Sequence, residues 1–230
     1  MEASVKRERS RQYDASRRQE AAAETRSAII DIARRLFLEK GYVATTMPAI
    51  AKDAGVSLDT VYASAGAKPV LFRHLIETAI SGADDPIPAL QRDYVREIQS
   101  EPDPVRKIAI YAHAVRLIQE RMAPLFAVLR DAAQSEDDLR RLWADISQRR
   151  AANMRLFAAE LATAGGLRAD LTIEQAADII WSMNASEFYL LLVDQRGWSL
   201  DQFESFLSDA WTRILLPDRE SPPLPKQERG

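Results

Sequence analysis

Apolar residues recur along this chain at intervals of three and four positions, and no two-residue alternation typical of β-strands is sustained. Such spacing lines one face of an α-helix with apolar side chains. Between Glu24 and Lys40, for example, Ile29, Ile32 and Phe37 occupy one such face. The pattern therefore predicts an all-α protein.

Prolines and glycines divide the helical pattern into segments, because proline disfavours helix in the residue before it and glycine tolerates a helix-closing left-handed conformation. The predicted helices are 24–40, 47–54, 58–64, 69–81, 87–100, 104–121, 124–133, 137–164, 173–195 and 199–216. The two ends of the chain hold too little apolar surface to pack. We therefore predict a flexible basic arm at 1–20 and a disordered tail at 217–230.

The segment TTMPAIAKDAGVSLDTVY, which begins at Thr45, predicts a helix, a tight turn and a second helix. Thr46 can cap the first helix; since Pro48 has no N–H, the Thr46 hydroxyl would accept from the Ala49 amide. The glycine between the helices fits the turn, and Ser57 is a favourable cap for the second helix. The segment therefore has the form of a helix-turn-helix.

A helix that enters the major groove of DNA, about 12 Å wide, needs short or polar outward side chains near its N-terminus. Ser57, Asp59, Thr60 and Tyr62 meet this description, and Lys68 at the start of the following helix can pair with a phosphate. Taken alone, the pattern fits an ordinary capped helical hairpin about as well as a DNA-binding unit.

One set of residues resembles, in spacing and in distance from the N-terminus, the signature of the tetracycline-repressor (TetR) family. The set comprises Thr45, Thr46, Ile50, Ala51, Ala54, Gly55, Val56, Ser57, Thr60, Tyr62 and Lys68. The strong resemblance covers residues 25–72. The chain departs from the family at Ala65, where an aromatic residue is usual, and we expect Phe72 or Tyr42 to supply the missing packing.

The resemblance implies a three-helix helix-turn-helix DNA-binding domain at 21–68, followed by a larger helical domain at 69–216 that binds a ligand and dimerises. It also implies which residues contact DNA. Leu58 and Asp59 would face bases or their sugars. The residues implied to contact mostly the DNA backbone are Thr46, Ser57, Thr60, Tyr62 and Lys68. The implied function is a sequence-specific transcriptional regulator, a repressor that a small-molecule effector releases from a palindromic operator. The implied partners are operator DNA, the effector and a second copy of the chain.

Aromatic and polar residues of the second domain are candidates for an effector site, because ligand pockets combine apolar walls with a few polar groups. The candidates are His113, Arg116, Phe126, Trp143, Asn153, Phe157, Trp181 and Asn184. This set favours a largely apolar effector. The last two helices have broad apolar faces, so the candidate dimer residues are Trp181, Phe188, Leu192, Phe203, Leu207 and Trp211. The same residues can equally build the core.

Charge is distributed unevenly, although the net charge is only −3. Residues 1–80 carry 13 Lys and Arg against 10 Asp and Glu, whereas the other 150 carry 18 against 24. A weakly basic N-terminal part (residues 1–80) followed by an acidic remainder suits a protein whose N-terminal part contacts DNA.

Several classes of protein are disfavoured by what the sequence lacks. It has no cysteine, which excludes disulfides and thiolate chemistry, and neither a signal peptide nor an apolar run long enough to span a bilayer is present. No HExxH, GxSxG, GK[ST] or GxGxxG motif occurs. We therefore expect a cytoplasmic, nucleoid-associated protein without enzymatic activity, cofactor, metal or membrane partner. The alternatives are an interaction protein of the same fold that has lost DNA binding, and an all-helical enzyme.

Overall fold

The computed structural model describes the backbone of residues 2–217, with the side chains of residue 17 and residues 19–217. Within this part of the chain the secondary structure is helical without a strand, so the all-α prediction is confirmed. The helices are α1 (Glu2–Ala44), α2 (Met47–Ala54), α3 (Leu58–Ala65), α4 (Lys68–Ser81), α5 (Asp93–Ser100), α6 (Pro104–Ala132), α7 (Asp137–Thr163), α8 (Ile173–Met183), α9 (Ser186–Tyr189) and α10 (Leu200–Leu215). Of the tail predicted at 217–230, all but residue 217 lies outside the described residues.

Helix α1 is longer than the sequence pattern predicts. Its backbone is helical from Glu2, through most of the predicted arm, and it is interrupted only at Gly41 (φ 77°, ψ 172°). Arginine, glutamate, glutamine and alanine fill its first half. These residues have high helix propensity and need no apolar face to form a helix, so the lack of apolar residues was a poor guide to backbone conformation here.

Three other boundaries differ from the predictions. The helices predicted at 104–121 and 124–133 are one helix, α6, with Pro124 inside it. Full burial of the flanking Ala123 and Leu125 offsets the hydrogen bond that a proline removes. Conversely, the helix predicted at 173–195 breaks after Met183 and continues as α9 and a π-helical segment, Leu190–Gln195. A 3₁₀ turn, Ala89–Gln91, replaces the start of the helix predicted at 87–100.

The first of two compact units contains residues up to 87 together with residues 124–145. An aromatic trio lies in its core: Phe37 stacks on Tyr42 with ring centroids 5.6 Å apart, and both meet Phe72 edge-on at 5.0 and 5.2 Å. Phe72 and Tyr42, the two residues considered as replacements for the aromatic missing at Ala65, thus pack on each other and on Phe37. Residues 69–87 and 124–145 were assigned by sequence to the second domain, but Phe72 packs on α1 and Arg73 pairs with Asp145 at 3.0 Å.

The second unit contains, of the described residues, 88–123 and 146–217. Its core is built from α5, α6, α7, α8 and α10, with fully buried side chains at Ile108, Ile180, Phe203, Leu207 and Trp211. Within residues 2–217, none of the helices has both the length and the apolar content that crossing a bilayer requires.

Candidate functional site

Hydroxyl side chains begin both short helices of the predicted helix-turn-helix. Thr46 Oγ1 accepts from the Ala49 amide at 3.3 Å, which confirms the cap inferred from the proline at position 48. Ser57 Oγ accepts from the Thr60 amide at 3.1 Å. Between them, Gly55 ends α2 in the left-handed region at φ 65°, and its amide lies 3.2 Å from the Lys52 carbonyl. These local contacts set where α2 ends and α3 begins.

Helix α3 has one buried face and one exposed face. Val61 is fully buried, whereas Leu58 is 37% exposed and Tyr62 46% exposed. Ser57 and Asp59 are also exposed, and Thr60 is half-buried. The structure therefore presents most of the residues implied to contact DNA on one accessible stretch of α3 and its cap.

Thr45 and Thr46 have opposite environments despite being neighbours. Thr46 is exposed, but Thr45 is buried, and its hydroxyl lies 3.0 Å from the Leu36 carbonyl and 2.8 Å from the Gly41 carbonyl. The hydroxyl has one proton, so it donates to one of these two carbonyls at a time, beside the interruption of α1 at Gly41. Thr45 thus joins the end of α1 to the start of α2.

Lys68 starts α4 and lies against the end of α1. Its ammonium is 4.1 Å from the Tyr42 ring centroid and 3.4 Å from the Val43 carbonyl oxygen. Burial lowers the pKa of Lys68, and Glu136 opposes that shift. Burial, with the charges of Glu136 and Asp138, raises the pKa of Tyr42 to about 12. Lys68, which the resemblance implies to contact a DNA phosphate, therefore already contacts the Tyr42 ring and the Val43 carbonyl.

Two arginines of α1 form hydrogen bonds with the helix-turn-helix. Arg26 Nε donates to the Ser64 carbonyl near the end of α3 at 3.1 Å, and Arg35 donates to Asp53 of α2 at 2.9 Å. The sequence analysis missed both contacts, because an arginine on an amphipathic helix usually indicates a solvated face.

His113 and Arg116, two of the predicted effector residues, lie near the surface of unit 2. Arg116 Nε is 2.7 Å from a Glu204 carboxylate oxygen, and His113 Nδ1 is 3.1 Å from the same atom. A groove of about 470 Å³ runs beside Glu204, lined also by Val105, Ala109, Ser205, Ser208, Asp209 and Thr212. None of the predicted effector residues lines this groove; His113 and Arg116 both contact Glu204, and their part in effector binding stays a prediction.

A buried polar network, here called the Asn184 network, lies in the interior of unit 2. The Asn184 side-chain amide donates to the Tyr111 hydroxyl at 2.7 Å, and that hydroxyl lies 3.1 Å from the sulfur of Met154. Burial raises the pKa of Tyr111, which keeps the phenol neutral. Gln119 donates to the Asn184 carbonyl at 2.6 Å and accepts from Ser186 at 2.8 Å. These contacts provide hydrogen-bond partners for polar groups of the chain where α8 ends and α9 begins.

The Asn184 network extends to aromatic and cationic neighbours. Phe157 lies 4.6 Å from Tyr111 and Trp211 lies 5.5 Å from it, measured between ring centroids. The Arg150 guanidinium lies 4.5 Å above the Trp181 ring, and burial lowers the pKa of Arg150.

The structure brings together only part of the predicted effector set. Phe157, Trp181 and Asn184 belong to the Asn184 network and its surroundings, and Asn153 is half-buried on α7. Phe126 and Trp143 instead pack edge-on against each other in unit 1, with centroids 5.6 Å apart. Gln119 and Ser186 were missed; a glutamine within the apolar pattern of α6 was the signal that could have found them.

The predicted dimer residues need correction in α10. Phe203, Leu207 and Trp211 have no exposed surface in the single chain, because they pack inside unit 2, so they are core residues. The exposed apolar side chains of α10 are Phe206 at 39% and Ile214 at 36%. Of the other predicted dimer residues, Trp181, Phe188 and Leu192 are half-buried.

Comparison with protein families matches residues 29–75 to the bacterial regulatory proteins of the tetR family. The matched segment includes α2, the turn at Gly55 and α3 with both caps. Within that segment the chain is similar to the tetR family. The chain is 31% identical over 116 residues to the HTH-type transcriptional regulator AcrR of Shigella flexneri, which is 50% of the chain and 52% of AcrR. It therefore spans about half the length of that relative.

Solved structures with the same fold cover most of the chain. One is NalD of Pseudomonas aeruginosa, the secondary repressor of the MexAB-OprM multidrug efflux pump. It matches with a TM-score of 0.67 at 24% identity, and the match covers 87% of this chain and 100% of NalD. A regulator of Saccharomonospora viridis in complex with choline matches with a TM-score of 0.63 at 17% identity, over 85% of this chain and 99% of the other. The SmeT–triclosan complex matches with a TM-score of 0.60 at 19% identity, over 88% of this chain and 100% of SmeT. At these identities the likeness shows the fold.

Proposed function

We propose that this protein is a homodimeric transcriptional regulator that represses by binding a palindromic operator and is released by a small-molecule effector. The observation that carries the proposal is the capped α2–turn–α3 unit, in which Val61 is buried while Leu58 and Tyr62 are exposed. A helix anchored on one face and exposed on the other can enter a major groove without losing its support.

The contacts with DNA follow from the positions of the side chains. Thr46 and Ser57 lie at helix N-termini, where backbone amides attract phosphate. Leu58 and Asp59, in the first turn of α3, face base edges, and the Asp59 carboxylate accepts from a cytosine amine. Tyr62 and Lys68 contact the backbone, with Lys68 leaving the Tyr42 ring to do so.

A dimer places two copies of α3 in successive major grooves, about 34–36 Å apart. The exposed apolar side chains of Leu191, Phe206 and Ile214 in unit 2 support pairing between copies, since exposed apolar surface favours protein interfaces. Trp198 meets Phe206 edge-on at 5.3 Å and extends this apolar surface. The protein would then act on DNA at the bacterial nucleoid, without catalysing a reaction.

The effector acts by favouring dimers whose two α3 helices are wrongly spaced for the operator. Such a shift is limited by the difference in effector affinity between the two states. Two proteins of this fold with bound ligands, a transcriptional regulator with choline and SmeT with triclosan, support a small-molecule effector for this chain. NalD, which represses an efflux pump, supports repression rather than activation.

The test is a titration of the full-length protein against fluorescent duplex DNA from its own upstream region, at two salt concentrations and with a scrambled duplex. We expect selective binding by two protomers that weakens as salt rises, because phosphate contacts release counterions. Tyr62→Ala should weaken binding by at least about tenfold, equivalent to about 1.4 kcal/mol, while the exposed control Leu156→Ala should not. Unchanged affinity in Tyr62→Ala would contradict the assignment of α3.

A second candidate function is an interaction protein of the same fold that has lost DNA binding. It is favoured by exposed Asp59, whose charge repels phosphates, and by the engagement of Lys68 with Tyr42 and Val43. The same titration separates the two candidates, because a protein without DNA binding shows no salt-sensitive, sequence-selective complex with any duplex.

A further inference from the structure

Apart from Arg116 Nε, which lies 2.7 Å from a Glu204 carboxylate oxygen, four buried polar atoms of unit 2 have no hydrogen-bond partner among the described residues: Arg150 Nε, Trp181 Nε1, Asn184 Oδ1 and Trp211 Nε1. Three of them are N–H donors and one is an acceptor. Leaving such groups unpaired away from water costs free energy, so native cores contain few of them. Four in one unit call for a physical explanation.

These atoms belong to one connected group of side chains. Asn184 follows Trp181 by one helical turn at the end of α8, and its amide nitrogen lies 3.0 Å from the sulfur of Met154. Met154 in turn follows Arg150 by one turn on α7, and Arg150 covers the Trp181 ring. The unpaired atoms therefore extend the Asn184 network rather than lying at separate places in the fold.

The group has a deep end and an accessible end. Asn184 is 4% exposed and Trp211 is completely buried. Arg150 and Trp181 are half-buried, although the Nε of Arg150 and the Nε1 of Trp181 are themselves shielded from solvent. The unpaired donors of Arg150 and Trp181 therefore belong to the part of the group that lies nearer the surface, and Asn184 and Trp211 to its interior.

The charge of Arg150 is poorly compensated. Among the described residues its guanidinium forms no ion pair, and the charge of Glu187 acts on the Arg150 pKa without such a contact. A guanidinium stacked on an aromatic ring keeps its in-plane N–H groups free, and those groups match the geometry of a carboxylate. A half-buried cation of this kind is stabilised by an anionic partner.

We propose that the Arg150–Trp181 end of the Asn184 network binds the head group of the effector, and that the effector is an apolar organic carboxylate. The carboxylate accepts from Arg150 Nε and Trp181 Nε1, and the apolar body packs against the aromatic residues beside Tyr111. Asn184 Oδ1 accepts from a hydroxyl of the same molecule where it has one. This inference rests on the proposed function, because it assigns the chemistry of the effector in that scheme.

The test compares three ligands that share one ring system and differ in the charge of the head group. Full-length protein without DNA is titrated calorimetrically with 2-naphthoate, 2-naphthamide and 2-(aminomethyl)naphthalene. We expect 2-naphthoate to bind at least about tenfold more tightly than the amide, since a charge-assisted hydrogen bond is worth roughly twice a neutral one. The amine should bind most weakly, because its charge repels Arg150.

Variants locate the preference on one side chain. Arg150→Met should abolish the difference between 2-naphthoate and 2-naphthamide, and Arg150→Lys, which keeps the charge, should retain part of it. Arg155→Met, at an exposed position on the same helix, is the matched control and should bind like the unaltered protein. The lysine variant keeps the test decisive if the methionine variant folds poorly, as circular dichroism would show.

Three results would overturn the inference: equal affinity for the acid and the amide, an unchanged preference in Arg150→Met, or no binding of any of the three probes. A parallel titration with operator DNA and no ligand separates this inference from the proposed function. DNA binding without binding of 2-naphthoate would overturn the carboxylate site alone. Binding of 2-naphthoate through Arg150 without DNA binding would uphold the site and contradict the regulator.

Discussion

Single hydroxyl groups determine where the short helices of unit 1 begin. Ser57 Oγ accepts from the Thr60 amide and shares a second hydrogen bond, 2.8 Å long, with the Thr60 hydroxyl. The first amides of a helix have no partner within the helix, so a cap of this kind fixes the first turn. These contacts were predictable because each joins residues three positions apart. The contacts of Lys68 were not, because Tyr42 and Val43 are distant in sequence.

Replacing Ser57 with alanine should destabilise the protein and weaken DNA binding together. The loss of an N-cap costs about 1 kcal/mol, and α3 would also lose the hydroxyl pair that orients its first turn. Urea denaturation measures the first effect, with exposed Ser205→Ala as the matched control inside α10. A Ser57→Ala protein as stable as the control would show that the cap contributes nothing in solution.

Tyr42 should make the stability of the protein depend on pH in the alkaline range. Its folded-state pKa is raised to about 12, so folding favours the neutral phenol. That contribution is complete below about pH 10, the usual tyrosine pKa, and is lost as pH rises from there through about 12. Two pKa units correspond to at most about 2.7 kcal/mol.

The measurement compares the free energy of unfolding at about pH 9 and about pH 11.5. Tyr42→Phe keeps the aromatic trio but cannot ionise, so it should lose clearly less stability than the unaltered protein over this interval. Tyr62→Phe, at an exposed tyrosine, should behave like the unaltered protein. Equal losses in Tyr42→Phe and the unaltered protein would mean that Tyr42 titrates normally.

At the scale of elements, local signals predicted the short helices better than the long ones. The bounds of α2, α3 and α4 agree with the sequence pattern to within a residue, because caps and glycines mark their ends. The break after α8 was missed because Gln119 stabilises it from α6, through the Asn184 carbonyl. The continuity of α6 through Pro124 was missed for the same reason, since burial of the neighbouring residues overrides a local signal.

The turn between α2 and α3 should tolerate only residues that adopt a left-handed backbone. Gly55 has φ 65°, and a Cβ added there would meet no atom of the described residues within 4 Å. The cost of Gly55→Ala is therefore backbone strain, about 1–2 kcal/mol. Gly55→Asn should cost less, because asparagine adopts this conformation more readily.

Urea denaturation of both variants tests the turn, and the DNA titration shows whether the strain reaches α3. We expect stability and DNA affinity to follow the order glycine, asparagine, alanine. If alanine were tolerated as well as glycine in both measurements, the turn would have to adopt another conformation in solution.

At the scale of the molecule, the two candidate sites differ in how far apart their residues lie in sequence. The residues predicted to contact DNA lie between positions 46 and 68, so spacing alone could identify them as a group. The Asn184 network joins Tyr111, Met154 and Asn184, which lie on three different helices. Only the fold brings them together, and for that reason the sequence placed His113 and Arg116 among the effector candidates although both pair with Glu204.

The proposed dimer should depend on the exposed apolar side chains of α10 rather than on its buried ones. Phe206→Glu places a charge where Phe206 is 39% exposed and stacks near Phe188. Burying that carboxylate in an interface without a partner is unfavourable, so the variant should be monomeric by light scattering at concentrations where the unaltered protein is dimeric. Ile214→Glu should have the same effect from the same helix.

The exposed control is Leu156→Glu on α7, which should stay dimeric because Leu156 is outside the proposed surface. Operator affinity should fall in both α10 variants although α3 is unchanged, because a monomer contacts only one half-site. Retained helicity by circular dichroism separates a lost interface from a lost fold. A Phe206→Glu protein that remains dimeric and binds the full palindrome would place the dimer contacts elsewhere in unit 2, and α10 would then serve only the core through Phe203, Leu207 and Trp211.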